Sequence, residues 1–265
     1  MRATPETRPS PDAAASREPL HPRYIEQWAR QFANARLTGR PVSTSLPEPR
    51  TAEDAFAIQR AVTALLNDRA GGWKTAGMSP DGLPLVAPLL EKSIHTTPAV
   101  WKNLQRQPIV VEVEFVLGLR DDLSNIDTGR CRDGRELIRE VAVGFEICGS
   151  RFSDSPSRPL FLADGLANSG LVVGAGVPAG PDFCFSGRRV QLTVNGVVVT
   201  DTVTSDASNP ADSLLWLVRT GLPSKTLKGG ALVITGSLTG VTSLEPGDEA
   251  VASIEGIGSA QIRLR

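Results

Sequence analysis

The sequence predicts an α+β fold in which β-strands dominate. From about residue 108 onward, short apolar segments are separated by Gly, Asp and Pro, which is typical of strands joined by turns. Asn195-Gly196 lies between the apolar segments 190–194 and 197–199 and is a strong signal for a β-hairpin. Residues 24–66 instead carry apolar side chains at helical spacing. A helical N-terminal region therefore precedes a mostly β body.

Two helices are expected in the N-terminal region. The first covers about residues 24–37, and Gly39 supplies its stop. The second begins near Thr51, which forms a capping-box-like pair with Asp54. Both helices carry one apolar face, so we interpret them as scaffold rather than as part of a site.

The rest of the chain is predicted to hold strands and one further helix. Residues 70–100 are rich in Gly and Pro and are expected to form a short strand followed by loops. The helix has Asn209 as N-cap, Pro210 at its first position and Gly221 as its stop. The other predicted strands are 109–119, 141–148, 171–173, 231–235, 250–254 and 261–264. The chain thus divides into a disordered tail at 1–20, a helical and loop region at 21–100, and a β body at 101–265.

The composition excludes several classes of protein. The formal net charge is −1, so no general attraction to nucleic acid or to an anionic membrane is expected. No apolar segment approaches the roughly 20 residues that a membrane-spanning helix requires, and no apolar signal-peptide core follows Arg2. The three cysteines, Cys131, Cys148 and Cys184, form no CxxC pair, which argues against a disulfide framework or a structural zinc site. We therefore expect a cytoplasmic protein.

Three glutamates form the candidate metal site. Strand side chains alternate between faces, so Glu112 and Glu114 share the face opposite the apolar residues of their strand. Glu146 lies on the polar face of a second strand, between the small residues Gly144 and Cys148. The alternative is a pair of half-exposed strands with solvated glutamates. If the strands converge, each like-charged pair at about 5 Å costs on the order of 3 kcal/mol. Such a cluster must be protonated or hold a cation, and oxygen ligands favour Mg²⁺ or Mn²⁺ over zinc.

Three further segments are candidates for the same site. Lysine is usually found on the protein surface, and Lys74 could be an ordinary surface charge. Three carboxylates around a divalent ion, however, still carry a net charge of −1. An anionic substrate would therefore need another cation nearby, and Lys74 fits that need. Asp164 and Asn168 lie in a segment that is either an ordinary turn or part of the site. The backbone N–H groups and hydroxyls of Thr235-Gly236-Ser237 could bind a carboxylate. Neither histidine lies in a triad-like motif, so both are expected to be structural.

These segments, in this order, resemble motifs of the fumarylacetoacetate hydrolase superfamily. The branch they resemble most contains 2-keto-4-pentenoate hydratases, 2-oxohept-3-ene-1,7-dioate hydratases and 4-oxalocrotonate decarboxylases. The resemblance covers roughly residues 22–264 and is most specific at Glu112-x-Glu114 with the downstream Glu146, which it implies are the metal ligands. Gly72-Trp73-Lys74 is similar to a Gly-x-Lys segment whose lysine lies beside the substrate. The other implied roles are a catalytic base for Asp164, and substrate binding for Asn168, Thr235, Gly236 and Ser237.

The resemblance also implies a fold and a reaction. The fold is a mixed β-sandwich roll, with 101–265 as the catalytic domain. The reaction of such a lyase adds water to a 2-hydroxy-2,4-dienoate of the 2-keto-4-pentenoate type, through a metal-bound enolate, and gives a 4-hydroxy-2-oxo acid in the catabolism of aromatic compounds. Alternatives are decarboxylation of a 4-oxalocrotonate-type diacid, hydrolysis of an acylpyruvate, or a non-catalytic partner subunit. The implied partners are Mg²⁺ or Mn²⁺, the small 2-oxo acid, further copies of the chain, and a related enzyme of the same pathway.

Overall fold

The computed structural model describes residues 18–43, 45–102, 104, 109–121, 127, 130–206, 209–220 and 229–265. Most of the expected tail, residues 1–17, and the expected helix stop Gly221 lie outside the described residues. Four α-helices are present in the described part: α1 (Pro22–Thr38), α2 (Ala52–Leu65), α3 (Arg158–Ala163) and α4 (Pro210–Thr220). None of these helices is long and apolar enough to cross a membrane.

The helix ends follow the capping residues that the sequence contains. Gly39 has a φ of 70° and donates its N–H to Ala35, which closes α1 as predicted. Thr51 and Asp54 form a full capping box at the start of α2. The side chain of Asn209 accepts the N–H of Ala211 over 3.1 Å at the start of α4. The predicted starts of α2 and α4 and the predicted stop of α1 are therefore confirmed.

The strands form two sheets. Within the described residues the larger sheet has nine strands: β1 (Ala70–Met78), β2 (Pro84–Leu90), β3 (Ile94–Thr96), β5 (Ile109–Leu119), β6 (Ile138–Cys148), β7 (Asn168–Val173), β8 (Val177–Pro178), β11 (Leu232–Ile234) and β12 (Val241–Leu244). The smaller sheet has five: β4 (Ala99–Trp101), β9 (Arg189–Val194), β10 (Val197–Val203), β13 (Glu249–Ile254) and β14 (Gly258–Leu264). The orders are β2-β1-β11-β5-β6-β7-β3 and β10-β9-β13-β14-β4, with β12 on β5 and β8 on β6. Both sheets mix parallel and antiparallel pairs.

The main core lies between the two sheets. The apolar faces of β5 and β6, including Val113 and Phe145, pack in one cluster with Leu192, Ala252 and Ile262 of the smaller sheet. This packing confirms the alternation predicted for both long strands and the mixed, strand-rich sandwich. The opposite face of β5 and β6 carries the glutamates, and α1, α2 and α3 form a second core with Ala87 of β2.

Parts of the prediction are wrong: one helix was predicted after residue 70, but both α3 and α4 are present, and the strands β8 and β12 were not predicted. Residues 70–100 were expected to be a short strand followed by loops, but they contain four strands, β1 to β4. Pro84 and Pro88 lie in β2, which is an edge strand of the larger sheet. An edge strand leaves N–H positions unpaired, so it accommodates proline where a central strand does not. The prolines of this region therefore led the prediction to loops, although they are compatible with the edge strand β2.

Candidate metal and substrate site

The pairing of β5 with β6 brings the three glutamates together. Glu112 lies directly opposite Glu146, and Glu114 lies opposite Gly144. All three side chains therefore project from the same face of the sheet. Glu114 and Glu146 are fully buried, whereas Glu112 is half-buried. The arrangement is a carboxylate cluster with two shielded members and one that remains accessible.

Each of the two buried carboxylates has one partnered oxygen and one without a partner. Oε2 of Glu114 accepts the backbone N–H of Gly236 over 2.7 Å. Oε1 of Glu146 accepts from both Lys74 Nζ and Asn168 Nδ2, each over 2.8 Å. Glu114 Oε1 and Glu146 Oε2 are buried and have no hydrogen-bond partner. A buried acceptor left unpaired costs about 1–3 kcal/mol, and more when it is charged, so these two oxygens fit a hard divalent cation.

The electrostatics of Glu114 agree with that fit. Burial, followed by the neighbouring charge of Glu146, raises the pKa of Glu114 well above its ordinary value. The N–H of Gly236 and the charge of Lys74 oppose this change but do not cancel it. Two adjacent carboxylates without a cation thus favour retaining a proton, which a bound cation would release.

Cys148 is the site residue that sequence reasoning missed. Its Sγ lies 3.5 Å from Oε2 of Glu112. Ligand atoms of Glu112, Glu146 and Cys148 all lie within 4.8 Å of one another, and this is the one such group among the described residues. Glu114 therefore does not lie within that distance of both Glu112 and Glu146. Burial, and then the charge of Glu146, raises the pKa of the Cys148 thiol. The alternation of β6 already places Cys148 on the face of Glu146, so the signal was available, although residue 148 was interpreted only as a small neighbour.

Lys74 reaches the cluster because β1 lies close to β11. Gly72 permits this approach, since a Cβ at that position would lie 2.5 Å from the carbonyl oxygen of Leu232. Lys74 pairs with Ile234 in β11, which in turn pairs with β5. Burial acts to lower the pKa of Lys74, but the nearby charges, led by Glu146, outweigh it and the pKa is raised. Lys74 is therefore a protonated, shielded cation at the edge of the cluster.

The other predicted residues lie around the cluster with different partners. Asp164 is buried and binds Arg151, whose Nε and backbone N donate to its two carboxylate oxygens. Asn168 directs its amide at Glu146. Gly236 binds Glu114, and the Ser237 hydroxyl donates to the Gly240 carbonyl over 2.9 Å. Thr235 is half-buried and directly follows β11. The roles assigned to these residues stay predictions.

A cavity of about 310 Å³ opens beside the cluster. Cys148, Gly149, His95 and Trp101 are among the residues that line it. The rings of His95 and Trp101 meet edge to face, with centroids 5.5 Å apart. Cys148 thus lies between the cavity and the glutamates, and none of the three glutamates is among the described residues that line the cavity.

Comparison with known proteins now assigns the family. Residues 85–265 match the family model described as fumarylacetoacetate (FAA) hydrolase C-terminal. The chain belongs to the fumarylacetoacetate hydrolase family. A family relative named 2-keto-4-pentenoate hydratase, from Paraburkholderia xenovorans (strain LB400), is 26% identical over 271 residues, covering 91% of this chain and 95% of the relative.

Solved structures of other enzymes share the fold. The 4-oxalocrotonate decarboxylase from Pseudomonas putida G7, complexed with magnesium and adipate, superposes with a TM-score of 0.76 at 18% identity, over 93% of this chain and 99% of that one. The fumarylpyruvate hydrolase from Pseudomonas aeruginosa, in complex with Mn²⁺ and pyruvate, gives 0.50 at 18% identity, over 72% and 88% of the two chains. These relatives catalyse different reactions, so family membership alone does not name the reaction.

Proposed function

We propose that this protein is a divalent-metal-dependent hydratase that converts a 2-hydroxy-2,4-dienoate into a 4-hydroxy-2-oxo acid. The observation that carries the proposal is the pair of buried oxygens without partners, on Glu114 and Glu146, beside the accessible Glu112. The relative at 26% identity named 2-keto-4-pentenoate hydratase supports this reaction over the other reactions of the family. Solved relatives that hold magnesium or Mn²⁺ support Mg²⁺ or Mn²⁺ as the ion.

Glu112, Glu114 and Glu146 would hold the ion. When bound, it would supply Lewis acidity toward the carboxylate and 2-oxygen of the substrate. The hydrogen bonds of Gly236 to Glu114 and of Asn168 to Glu146 fix the orientation of the two buried carboxylates. Glu112 is half-buried, so the cluster is open to substrate on its side.

Lys74 supplies the positive charge nearest to the cluster. Its Nζ stays protonated at neutral pH because its pKa is raised, so it stabilises negative charge that develops on the substrate and can donate a proton. In the reaction, the 2-hydroxyl proton is lost and C5 is protonated, which gives a 2-oxo-3-enoic acid. Water then adds at C4 and a proton at C3. Asp164 is engaged with Arg151, so we assign it to positioning rather than to proton abstraction.

An ultraviolet assay tests the proposal. A panel of 2-hydroxydienoates and acylpyruvates is followed with Mg²⁺, with Mn²⁺ and with a chelator, and products are identified by NMR. We expect metal-dependent loss of the diene and formation of a 4-hydroxy-2-oxo acid, both absent in Glu114→Gln. Glu245→Gln, which alters an exposed glutamate, is the control. Release of CO₂ would indicate a decarboxylase instead of a hydratase, and cleavage of an acylpyruvate would indicate a hydrolase. Metal binding without any turnover would indicate a non-catalytic subunit.

A further inference from the structure

The chain makes a left-handed turn directly before β7. The backbone φ is 74° at Gly165, 55° at Leu166 and 58° at Ala167, so three successive residues lie in the left-handed region. Glycine adopts that region freely, but leucine and alanine do so at a cost in free energy. The other non-glycine residues with positive φ in the described chain are Asn67 and Asn195, and asparagine is enriched in this region. The turn before β7 therefore stores strain that the two asparagines avoid.

The surrounding structure holds the turn in this conformation. The side chain of Leu166 is 2% exposed and packs in the second core. Its N–H donates to the Phe161 carbonyl over 3.0 Å, and the Ala167 carbonyl accepts the N–H of Gly149 over 2.8 Å. These contacts fix the turn on both sides, so the neighbouring structure imposes a backbone conformation that leucine and alanine disfavour.

The turn directs two groups at the ion pair of Lys74 and Glu146. The Leu166 carbonyl accepts from Lys74 Nζ over 3.4 Å. Asn168 follows the turn as the first residue of β7, and its Nδ2 donates to Oε1 of Glu146 over 2.8 Å. An ammonium group has three N–H donors, and the oxygens of Glu146 and Leu166 accept two of them. The conformation of the turn thus sets the direction of the donor that remains for a substrate.

We propose that Leu166 and Ala167 are positioning residues, whose strained backbone holds the Lys74 ammonium in one orientation toward the substrate. This inference rests on the proposed function, which makes Lys74 the cation that meets the substrate. Backbone strain persists where it fixes a reactive group, and a displacement of about 1 Å can slow a reaction on the order of a hundredfold. Relaxing the turn should therefore stabilise the fold and slow the reaction, whereas a merely structural turn would move both in the same direction.

Ala167→Gly tests the inference, because it removes one methyl group and relieves the positive φ. We expect Tm to rise by about 2 °C. At the same time kcat should fall by about tenfold, with less than about a twofold change in KM. Competitive acetylation of the full chain, measured by mass spectrometry, detects the change without turnover. Lys74 should be labelled about threefold faster relative to the exposed Lys102, because the released ammonium is more accessible.

Asn67→Gly is the matched control. Asn67 has a φ of 49° and is exposed after α2, so this variant should match the wild type in kinetics and in labelling of Lys74. Wild-type kinetics and labelling in Ala167→Gly would overturn the positioning role and leave the proposed function standing. A lower Tm with slower turnover would also overturn it, because the turn would then be only structural. If the wild type hydrates no dienoate, the proposed function fails, and unchanged labelling of Lys74 in Ala167→Gly would overturn the positioning role as well.

Discussion

The Nζ of Lys74 lies 2.8 Å from Oε1 of Glu146, and both groups are shielded, with 13% and 0% of their side chains exposed. The ion pair leaves the second oxygen of Glu146 without a partner. Lys74 thus lowers the negative charge of the cluster while leaving it a ligand atom. This gives the lysine two opposing effects, on cation affinity and on turnover.

Replacing Lys74 should separate these effects. In Lys74→Met we expect Mg²⁺ to bind more tightly, because a competing positive charge is removed. At the same time kcat/KM should fall by about a hundredfold or more, because a proton donor and an anion-stabilising charge are lost. Calorimetry and steady-state kinetics measure the two quantities. The control Lys74→Arg keeps the positive charge and should bind Mg²⁺ like the wild type. If Lys74→Met lost both Mg²⁺ affinity and turnover, the two opposing effects assigned to Lys74 would be contradicted.

The stability of the metal-free protein should decline as the pH rises above the ordinary glutamate pKa. The pKa of Glu114 is raised in the folded state from 4.5, so the folded chain binds more protons than the unfolded chain above that pH. The stabilisation is complete below 4.5 and is lost as the pH approaches the folded-state value. The raised pKa of Lys74 acts only above 10.5.

Urea unfolding between pH 4.5 and 8 measures this dependence. Glu114→Gln, which cannot lose a proton, should flatten the decline by about 1 kcal/mol or more, equivalent to roughly 2–4 °C in Tm. Glu245→Gln, at an exposed position, should leave the decline unchanged. If Glu114→Gln and the wild type show parallel curves, Glu114 does not hold the proton.

Cys148 should make the cluster bind thiophilic cations. Its Sγ and the oxygens of Glu112 and Glu146 form a mixed sulfur and oxygen group, and thiolate favours soft ions over Mg²⁺. Titration with Cd²⁺ should produce an ultraviolet thiolate-to-metal band, with proton release from the thiol. Cys148→Ser should abolish the band and Cys184→Ser, at an exposed cysteine, should retain it. A band that survives in Cys148→Ser would place the thiolate ligand elsewhere.

The buried pair of Asp164 and Arg151 should contribute mainly to stability. Both side chains are at most 2% exposed, and Arg36 adds a second cation beside the carboxylate. Asp164→Asn should lower the unfolding free energy by about 3–5 kcal/mol, or about 6–20 °C in Tm. Asp201→Asn breaks an exposed ion pair with Arg189 and should leave the unfolding free energy nearly unchanged, because water screens an exposed pair. Unchanged stability with lost turnover would instead support Asp164 as the base.

A methyl group at Gly72 should disturb the site from a distance. The added Cβ would meet the Leu232 carbonyl at 2.5 Å, which forces β1 away from β11. Gly72→Ala should destabilise the fold by about 1–3 kcal/mol and lower turnover, since Lys74 is two residues along the same strand. At Gly180 the new Cβ would have an ordinary contact of 3.6 Å, so Gly180→Ala should match the wild type in thermal unfolding and kinetics.

The sequence predicted those features that depend on local rules. Side-chain alternation predicted both faces of β5 and β6. Capping residues predicted the C-terminal end of α1 and the start of α2. Two features depended on tertiary neighbours instead. The prolines of β2 are tolerated because β2 is an edge strand. Asp164 forms an ion pair with Arg151, which lies in a separate segment. Neither relationship leaves a periodic signal in the chain.

The short strand β11 has a consequence for how this protein can diversify. It lies between β1, which carries Lys74, and β5, which carries Glu114. Neighbouring strands lie about 4.8 Å apart. The hydrogen-bonded strands, and not a loop, therefore set the separation between the ammonium group of Lys74 and the carboxylate of Glu114. The cavity beside Cys148 is bounded in contrast by the end of α1 and by segments that connect the strands. Substitutions around that cavity therefore leave the spacing of Lys74 and the glutamates unchanged.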